Sequence, residues 1–440
     1  MKTTVSEKKV ACHTFGCRLN QYETEKMAAG LRPFGFVRTS DNKNEAADLY
    51  LINTCTVTHR ADRDCRNYIR RIVRQNPKAR IVVAGCFVDY DPETVKAIEG
   101  VDVVIRNSEK ESLSDILSAK LPELFEAEPD KNCSTLISDF FERNRAWLKI
   151  SDGCNQWCSF CIIPSVRGRL KHKPVREIIT EIESLVENGY KEVVLTGVNI
   201  GYYKDNSEQM PAKNLAALCK YIFENTDLHR LRLSSIESQT LGPDLVQLYQ
   251  EYGGRICRHW HLPLQSGSSR ILKLMQRPYD REAYIQKAEQ IKAVQPNTII
   301  GADVIVGFPG ETDEDYIQTR KLAESGLLDY LHVFSYSDRA GTKATAIKDK
   351  VETKVIRNRN IELSEISKRI KHNSLKRQIG QVLEVIPQHK SNGNGRLWGI
   401  TDNFLKAKLP ADSSRNKSIL SLKVTSSSSE YLEGTILSQN

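Results

Sequence analysis

The sequence predicts an α/β protein that opens with a doubly wound parallel sheet, continues as a longer α/β series and closes on a small all-β module. Three observations support this. Short apolar runs at Val10–Phe15, Asp48–Asn53 and Arg80–Ala84 are each followed by a helix-like stretch, about 20–31, 58–75 and 91–99. That alternation is the pattern of parallel strands with helices packed on the sheet. From about residue 140 the alternation resumes on a larger scale, with strand candidates at Trp147–Ile150, Glu192–Val198, Arg230–Ser235, His259–Gln265, Ile299–Val306 and Tyr330–Tyr336. After Lys376 it gives way to short β segments, Val382–Ile386, Leu397–Thr401, Phe404–Lys408 and Lys423–Thr425, separated by Gly, Asn and Ser turns. The serine run Ser426–Ser429 is expected to be a flexible loop, and Thr312 to cap a helix after the Gly307–Gly310 turn. The expected domains are 1–125, 140–372 and 375–440, with a polar connecting helix near Glu362.

At 440 residues and 40% hydrophobic content the chain can bury two or three ordinary cores. A net charge of +9 favours an anionic partner. No segment reaches ~18 apolar residues and the first residues are polar, so a cytoplasmic protein with no membrane partner is expected. Eleven cysteines in a chain of this length are too sparse for a secreted disulfide scaffold and suit metal ligation or free thiols.

Cys154-x-x-x-Cys158-x-x-Cys161 places three thiols within eight residues. A structural zinc site takes four ligands and a cuboidal iron–sulfur cluster normally takes four thiolates. Three would leave one iron open to a substrate or cofactor. The competing reading, three buried thiols that lie close by chance, is disfavoured by the flanking Gly153 and by Trp157 and Phe160, which suit a dry shell around a cluster. This motif resembles that of the radical S-adenosylmethionine (SAM) superfamily, in which SAM chelates the open iron and is cleaved to a 5′-deoxyadenosyl radical.

A second trio sits at strand ends. Cys17 follows Phe15-Gly16, Cys55 follows Asn53-Thr54, and Cys86 follows Ala84-Gly85. Open parallel sheets bind ligands beyond their strand C-termini, and neighbouring strands lie ~4.8 Å apart. The three can therefore converge on one further centre. Cys12 lies inside a strand, and Cys65, Cys133, Cys219 and Cys257 have no partner spacing.

With Gly16-Cys-Arg-Leu-Asn-Gln-Tyr-Glu-Thr-Glu25 and Ile52-Asn-Thr-Cys-Thr-Val-Thr58, the chain resembles radical SAM methylthiotransferases along nearly all its length. The resemblance implies a partial (β/α)6 radical SAM barrel at 140–372 and a C-terminal TRAM-like, RNA-binding barrel. It also implies two 4Fe–4S clusters, one on Cys154, Cys158 and Cys161 and an auxiliary one on Cys17, Cys55 and Cys86. Gly197, Asn199, Ser235, Glu237, Gln265 and Asp303 lie at the barrel positions the family uses for SAM, where active sites of such barrels gather. Asp303 could equally be a structural hydrogen-bonding residue.

Cys161-Ile-Ile-Pro164 followed by Arg167-Gly-Arg169, and Val333-Phe-Ser-Tyr-Ser-Asp-Arg-Ala-Gly-Thr342, look most like the MtaB type. That type adds a methylthio group to C2 of N6-threonylcarbamoyladenosine in a tRNA anticodon stem-loop, using one SAM to methylate a cluster-bound sulfur and a second as radical source. An external electron donor and sulfur source are implied. Alternatives within the family are isopentenyl-adenosine in tRNA or a ribosomal-protein aspartate as substrate; outside it, a noncatalytic iron–sulfur redox sensor that binds RNA.

Two basic stretches are candidates for RNA contact. One is Arg167, Arg169 and Lys171 just after the cysteine loop. The other is a helix carrying six arginines between Arg60 and Arg74, on which Arg63, Arg66 and Arg70 share a face. A solvated basic helix is the ordinary alternative.

Overall fold

The computed structural model describes residues 7–40, 46–392, 396–410, 413 and 417–439. They fall into two compact units. The first is Met1–Phe141 with Asp152–Gln156 and Cys161–Lys171; the second is Glu142–Ser151 with Trp157–Phe160 and His172–Asn440.

The first unit is built on five parallel strands: β1 (Lys8–Thr14), β2 (Phe36–Thr39), β3 (Leu49–Thr54), β4 (Arg80–Gly85) and β5 (Val103–Ile105). Their spatial order is β2-β1-β3-β4-β5. Central β3 is buried throughout, and its period of two divides its side chains between two cores. Tyr50 and Ile52 join Tyr68, Ile69 and Ile72 of the helix His59–Gln75 on one face. Leu49 and Leu51 meet Met27 and Leu31 of the helix Arg18–Leu31 on the other. The edge strands β2 and β5 escaped the sequence reading because four and three residues carry too little periodicity.

The order places β2 to one side of β1 and β3 to the other, so β1 and β3 flank a switch point, where open α/β sheets bind ligands. Register then decides what gathers there. Thr14 pairs with Asn53, Asn53 with Ala84, and Thr54 with Gly85. The three strands thus end level, each one to three residues before a cysteine.

The second unit contains six parallel strands: β6 (Ala146–Lys149), β7 (Glu192–Thr196), β8 (Arg230–Leu233), β9 (His259–His261), β10 (Ile299–Val306) and β11 (Tyr330–Ser335). They form two three-stranded runs, continued into one another by the parallel bridges Leu231↔Ile256 and Ser235↔His261. This is the expected partial barrel. Thr312 caps the helix Asp313–Glu324 in a capping box with Asp315.

The small C-terminal barrel is closed by β12 (Val382–Asn392), β13 (Arg396–Thr401), β14 (Lys406–Leu409), β15 (Leu420–Ser427) and β16 (Leu432–Gln439). The Gly/Asn turn between its first two strands lies at 393–395, outside the described residues. The serine run is not a free loop: Ser426 and Ser427 belong to β15, and the Ser428 hydroxyl accepts from the amides of Glu430 and Tyr431 to turn the chain into β16. Serine hydroxyls that bond nearby backbone make turns as readily as they make disorder.

This barrel shares a core with the larger one: Ile299, Tyr330 and Leu375 pack with Leu383, Leu397, Leu405 and Leu422. A buried charge network reinforces the junction. Glu192, fully buried at the start of β7, binds Arg230 and Arg232 of β8, and Arg145 at 3.4 Å. Arg232 also donates to the carbonyls of Thr401 and Asp402, and Arg230 to Glu384 of the small barrel. Burial pushes the Glu192 carboxyl up, but Arg232, Arg230 and Arg145 outweigh it and hold the group well below its ordinary range.

Candidate active site

In the first unit the three strand-end cysteines are drawn together by backbone that only glycine can follow. Gly16 has φ +91, and a Cβ there would lie 2.9 Å from the Cys55 sulfur; Gly85 has φ +103, and a Cβ would lie 2.6 Å from the Thr54 carbonyl. These are cradles that a side chain would fill. Cys55 and Cys86 are buried, and Cys17 sits at the mouth of the recess with exposed surface. Burial, with smaller contributions from the neighbouring Cys86 and Cys17, pushes the Cys55 thiol up to about 12. The Cys17 thiol is raised too, by the protein packed around its sulfur. Burial thus makes the Cys17 and Cys55 thiols resist ionisation; a bound metal centre reverses that preference and takes its cysteine ligands as thiolates. The site therefore fits such a centre in ligand type and in number.

Asn20 organises this recess. Its side-chain amide donates to the carbonyls of Phe15 and Thr54, one beside each of Cys17 and Cys55, while Cys17 Sγ lies 3.9 Å from its oxygen. Asn107 does the same for Cys86, donating to its sulfur at 3.6 Å and to the Val166 carbonyl at 2.9 Å. The run from Cys17 to Glu23 carried a readable signal, since Asn20 and Glu23 follow Cys17 at helical spacing, yet neither was singled out from the sequence. Asn107 has no local pattern to betray it.

Of the Cys154–Cys161 loop, Cys154 and Cys161 belong to segments of the first unit, and Cys158 to the second. The Cys154 amide donates to Gly168, and the Gln156 amide points at Cys154 Sγ at 3.4 Å. In the second unit Cys158 is buried, and Arg277 donates to its sulfur at 3.1 Å. Arg277 also pairs with Glu237 and donates to the Tyr279 hydroxyl at 3.1 Å. Burial pushes the Glu237 carboxyl up although Arg277 opposes it. Arg277 was not foreseen, because a single arginine in the connection between two helices, Ser269–Leu274 and Arg281–Val294, has no spacing to read. Trp157 does not form the dry shell expected of it: its surface is 59% exposed, whereas Phe160 packs with Ile271, Met275 and Phe308.

The barrel-mouth residues differ among themselves. Asn199 is buried with its side-chain oxygen unpartnered, and the Ser234 hydroxyl is likewise buried and unpartnered. Such groups suit a polar ligand. Ser235 is half-buried beside His261 at the strand bridge. Gln265 holds φ +67, rare for a non-glycine residue, and is pinned by backbone bonds to Asp303 and Ile305; such strain persists where the surroundings over-determine it and clusters at ligand sites. Gly197 packs tightly, since a Cβ there would meet the Ser151 hydroxyl at 2.3 Å. Asp303 lies 3.1 Å from His261 Nε2 and is partly exposed.

The basic candidates also separate. Arg169 and Lys171 are exposed, as are Arg63 and Arg70, while Arg66 is half-buried over the Phe87 ring. Arg167 is not on a surface: its side chain is 1% exposed and is spent on Glu23 and Asp152. A guanidinium without water and with two carboxylates has no capacity left for a phosphate.

Two family models match: the Radical SAM superfamily over residues 148–323 and an uncharacterized protein family, UPF0004, over residues 9–106. A threonylcarbamoyladenosine tRNA methylthiotransferase MtaB of Bacillus subtilis is 34% identical over 439 residues, covering 97% of this chain and 95% of that protein. The chain belongs to the radical SAM tRNA methylthiotransferase family. Other members are similar along their whole length. The MtaB protein of Thermotoga maritima is 32% identical over 98% of this chain and 99% of its own. A tRNA-2-methylthio-N(6)-dimethylallyladenosine synthase of Thermodesulfovibrio yellowstonii is 30% identical over 97% and 98%. Among solved structures, the radical SAM methyltransferase TsrM of Kitasatospora setae aligns with a TM-score of 0.54 at 14% identity, covering 74% of this chain and 73% of that one; it shows the fold. Radical SAM tRNA methylthiotransferases are enzymes, and membership implies SAM and a 4Fe–4S cluster. Among the described residues no helix is long and apolar enough to cross a membrane.

Proposed function

We propose that this enzyme adds a methylthio group to C2 of N6-threonylcarbamoyladenosine beside a tRNA anticodon, using two SAM molecules and two 4Fe–4S clusters. The observation that carries the reading is the level ending of β1, β3 and β4 before Cys17, Cys55 and Cys86, in a chain that also holds the complete Cys154, Cys158, Cys161 motif. When bound, the clusters and SAM supply the radical that activates the C2–H bond and the methylthio group that replaces the hydrogen. The protein's own part is to hold and shield. Asn20 and Asn107 fix the recess around Cys17 and Cys86, and Arg277 orders Cys158 and Glu237. Asn199, Ser234, Ser235 and Gln265 offer polar groups to SAM, and burial of Cys158 limits water at a reactive centre. A single-stranded anticodon loop presents its base at small unstacking cost, about a few kcal/mol or less.

Electrons come from an external donor and sulfur from an external source, in the cytoplasm. The closed C-terminal barrel contributes to RNA binding as a TRAM-like module, and Arg63, Arg70, Arg169 and Lys171 provide phosphate contacts. Charge reversal at Arg63 and Arg70 together is expected to weaken tRNA binding and flatten the slope of log affinity against log salt, by about 0.9 for each phosphate no longer neutralised. An unchanged slope removes that helix from the interface.

The threonylcarbamoyl substrate is preferred because relatives so named reach 34% identity over nearly the whole chain, against up to 32% for the dimethylallyl type. Mass spectrometry of tRNA nucleosides from a deletion strain tests it. Loss of the 2-methylthio derivative of N6-threonylcarbamoyladenosine, with its precursor accumulating, supports the assignment; loss of the dimethylallyl product instead transfers the chain to the other branch.

A further inference from the structure

Arg167 occupies an unusual place for an arginine that follows a cysteine motif. Six residues after Cys161, it is buried inside the first unit rather than set on a rim. One guanidinium nitrogen donates to Glu23 at 2.8 Å and Asp152 at 2.9 Å; the other donates to Asn20 at 2.6 Å and Glu23 at 3.0 Å. Asn20 is the residue whose oxygen also faces Cys17 Sγ. Glu23 in turn is bound by Lys110 at 2.5 Å, both side chains being buried. The residues just before Arg167 reach another corner of the same recess. Ile162 and Val166 pack on Cys86, and the Val166 carbonyl takes the second proton of the Asn107 amide that contacts the Cys86 sulfur.

A buried positive charge with this much support calls for a reason. Two cations, Arg167 and Lys110, converge on Glu23, with Asp152 completing the set. Three of these charges, Arg167, Lys110 and Glu23, are buried, and each carries a desolvation cost that pairing has to offset. The three thiols beside it supply the reason. Three thiolates on a 4Fe–4S core give a net anionic centre, more so once reduced, and a low-dielectric recess magnifies any nearby charge.

We propose that Arg167 is a positioning residue of the auxiliary centre: it is that centre's built-in counter-charge and, through Asn20, orients Cys17. The proposal rests on the two-cluster reading above. It has a structural consequence. The peptide that leaves the radical SAM motif also forms a wall of the Cys17, Cys55, Cys86 recess, so the auxiliary centre cannot assemble fully until residues 161–168 are in place.

The test uses the full chain with Cys154, Cys158 and Cys161 all replaced by alanine, reconstituted anaerobically with iron and sulfide, so that only the auxiliary centre remains. Iron content, EPR, midpoint potential and thermal melting are read for this parent and for Arg167→Gln, Arg167→Lys and Glu23→Gln. The parent is expected to hold about four irons. Arg167→Gln should shift the midpoint to lower potential, Arg167→Lys should restore part of the shift, and Glu23→Gln should move it the opposite way by removing the carboxylate that Arg167 and Lys110 share. A purely structural role predicts no such opposition of sign. Potentials that stay at the parent value in both Gln variants overturn the proposal. If Arg167→Gln does not fold, Glu23→Gln decides alone: an upward shift supports the proposal and no shift overturns it. A parent without iron refutes the two-cluster reading itself, a result distinct from either.

Discussion

The Cys158→Ala variant is expected to produce no 5′-deoxyadenosine above background when incubated anaerobically with SAM and dithionite, while Cys55→Ala retains cleavage but inserts no sulfur. The asymmetry follows from what each thiol serves. Cys158 is a buried member of the motif proposed to leave one iron open to SAM, and its sulfur takes a hydrogen bond from Arg277. Removing it takes a ligand from a site that has three. Cys55 lies at the far end of β3 in a different recess, shaped by Gly16 and Gly85. Its loss should empty or distort that recess and leave the chemistry of the first untouched. Equal loss of cleavage in both variants would mean that the two trios form one functional centre. Full sulfur insertion by Cys55→Ala would remove the auxiliary role altogether.

Replacement of Glu192 by alanine is expected to destabilise the second unit by about 3–5 kcal/mol, as breaking a buried ion pair from one side does elsewhere. Three guanidinium groups, from Arg145, Arg230 and Arg232, would lose their shared counter-charge, the latter two where no water reaches them. Two of those arginines also hold the small barrel through Glu384 and the carbonyls of Thr401 and Asp402. The damage should therefore appear as earlier unfolding of both barrels together in urea. The pH dependence has a definite sign. A carboxyl held below its unfolded value contributes stability that is fully present above the unfolded pKa, about 4.3, and is lost only as pH falls through the folded value. The gap between wild type and Glu192→Gln should therefore be flat from about pH 8 to 5 and close only in stronger acid. A gap that closes near neutrality would contradict this account of the junction.

The parts of the molecule that were legible in the sequence are those whose signal is local. Strands β1, β3 and β4 announce themselves as apolar runs stopped by Gly-Cys or Thr-Cys, and the Thr312 cap by its place after a glycine turn. The six strands of the partial barrel fall within a few residues of expectation for the same reason. What could not be read is paired across long separations. Glu192 and Arg232 look like ordinary strand-end charges until the barrel brings them together. Arg167 looked like a basic rim residue because a sequence shows charge without burial. Arg277 and Asn107 reach sulfurs 119 and 21 residues away with no repeating pattern to mark them. The last strand, Leu432–Gln439, was missed because its Leu-Glu-Gly-Thr start alternates weakly.

The central claim is two separate iron–sulfur centres in one chain, each on three cysteines. Iron analysis with Mössbauer spectroscopy on anaerobically prepared protein tests it most directly. The account predicts about eight irons per chain in two 4Fe–4S environments, falling to about four when either cysteine trio is replaced by alanine. About four irons in the wild-type protein, or a count that neither triple replacement changes, would contradict it.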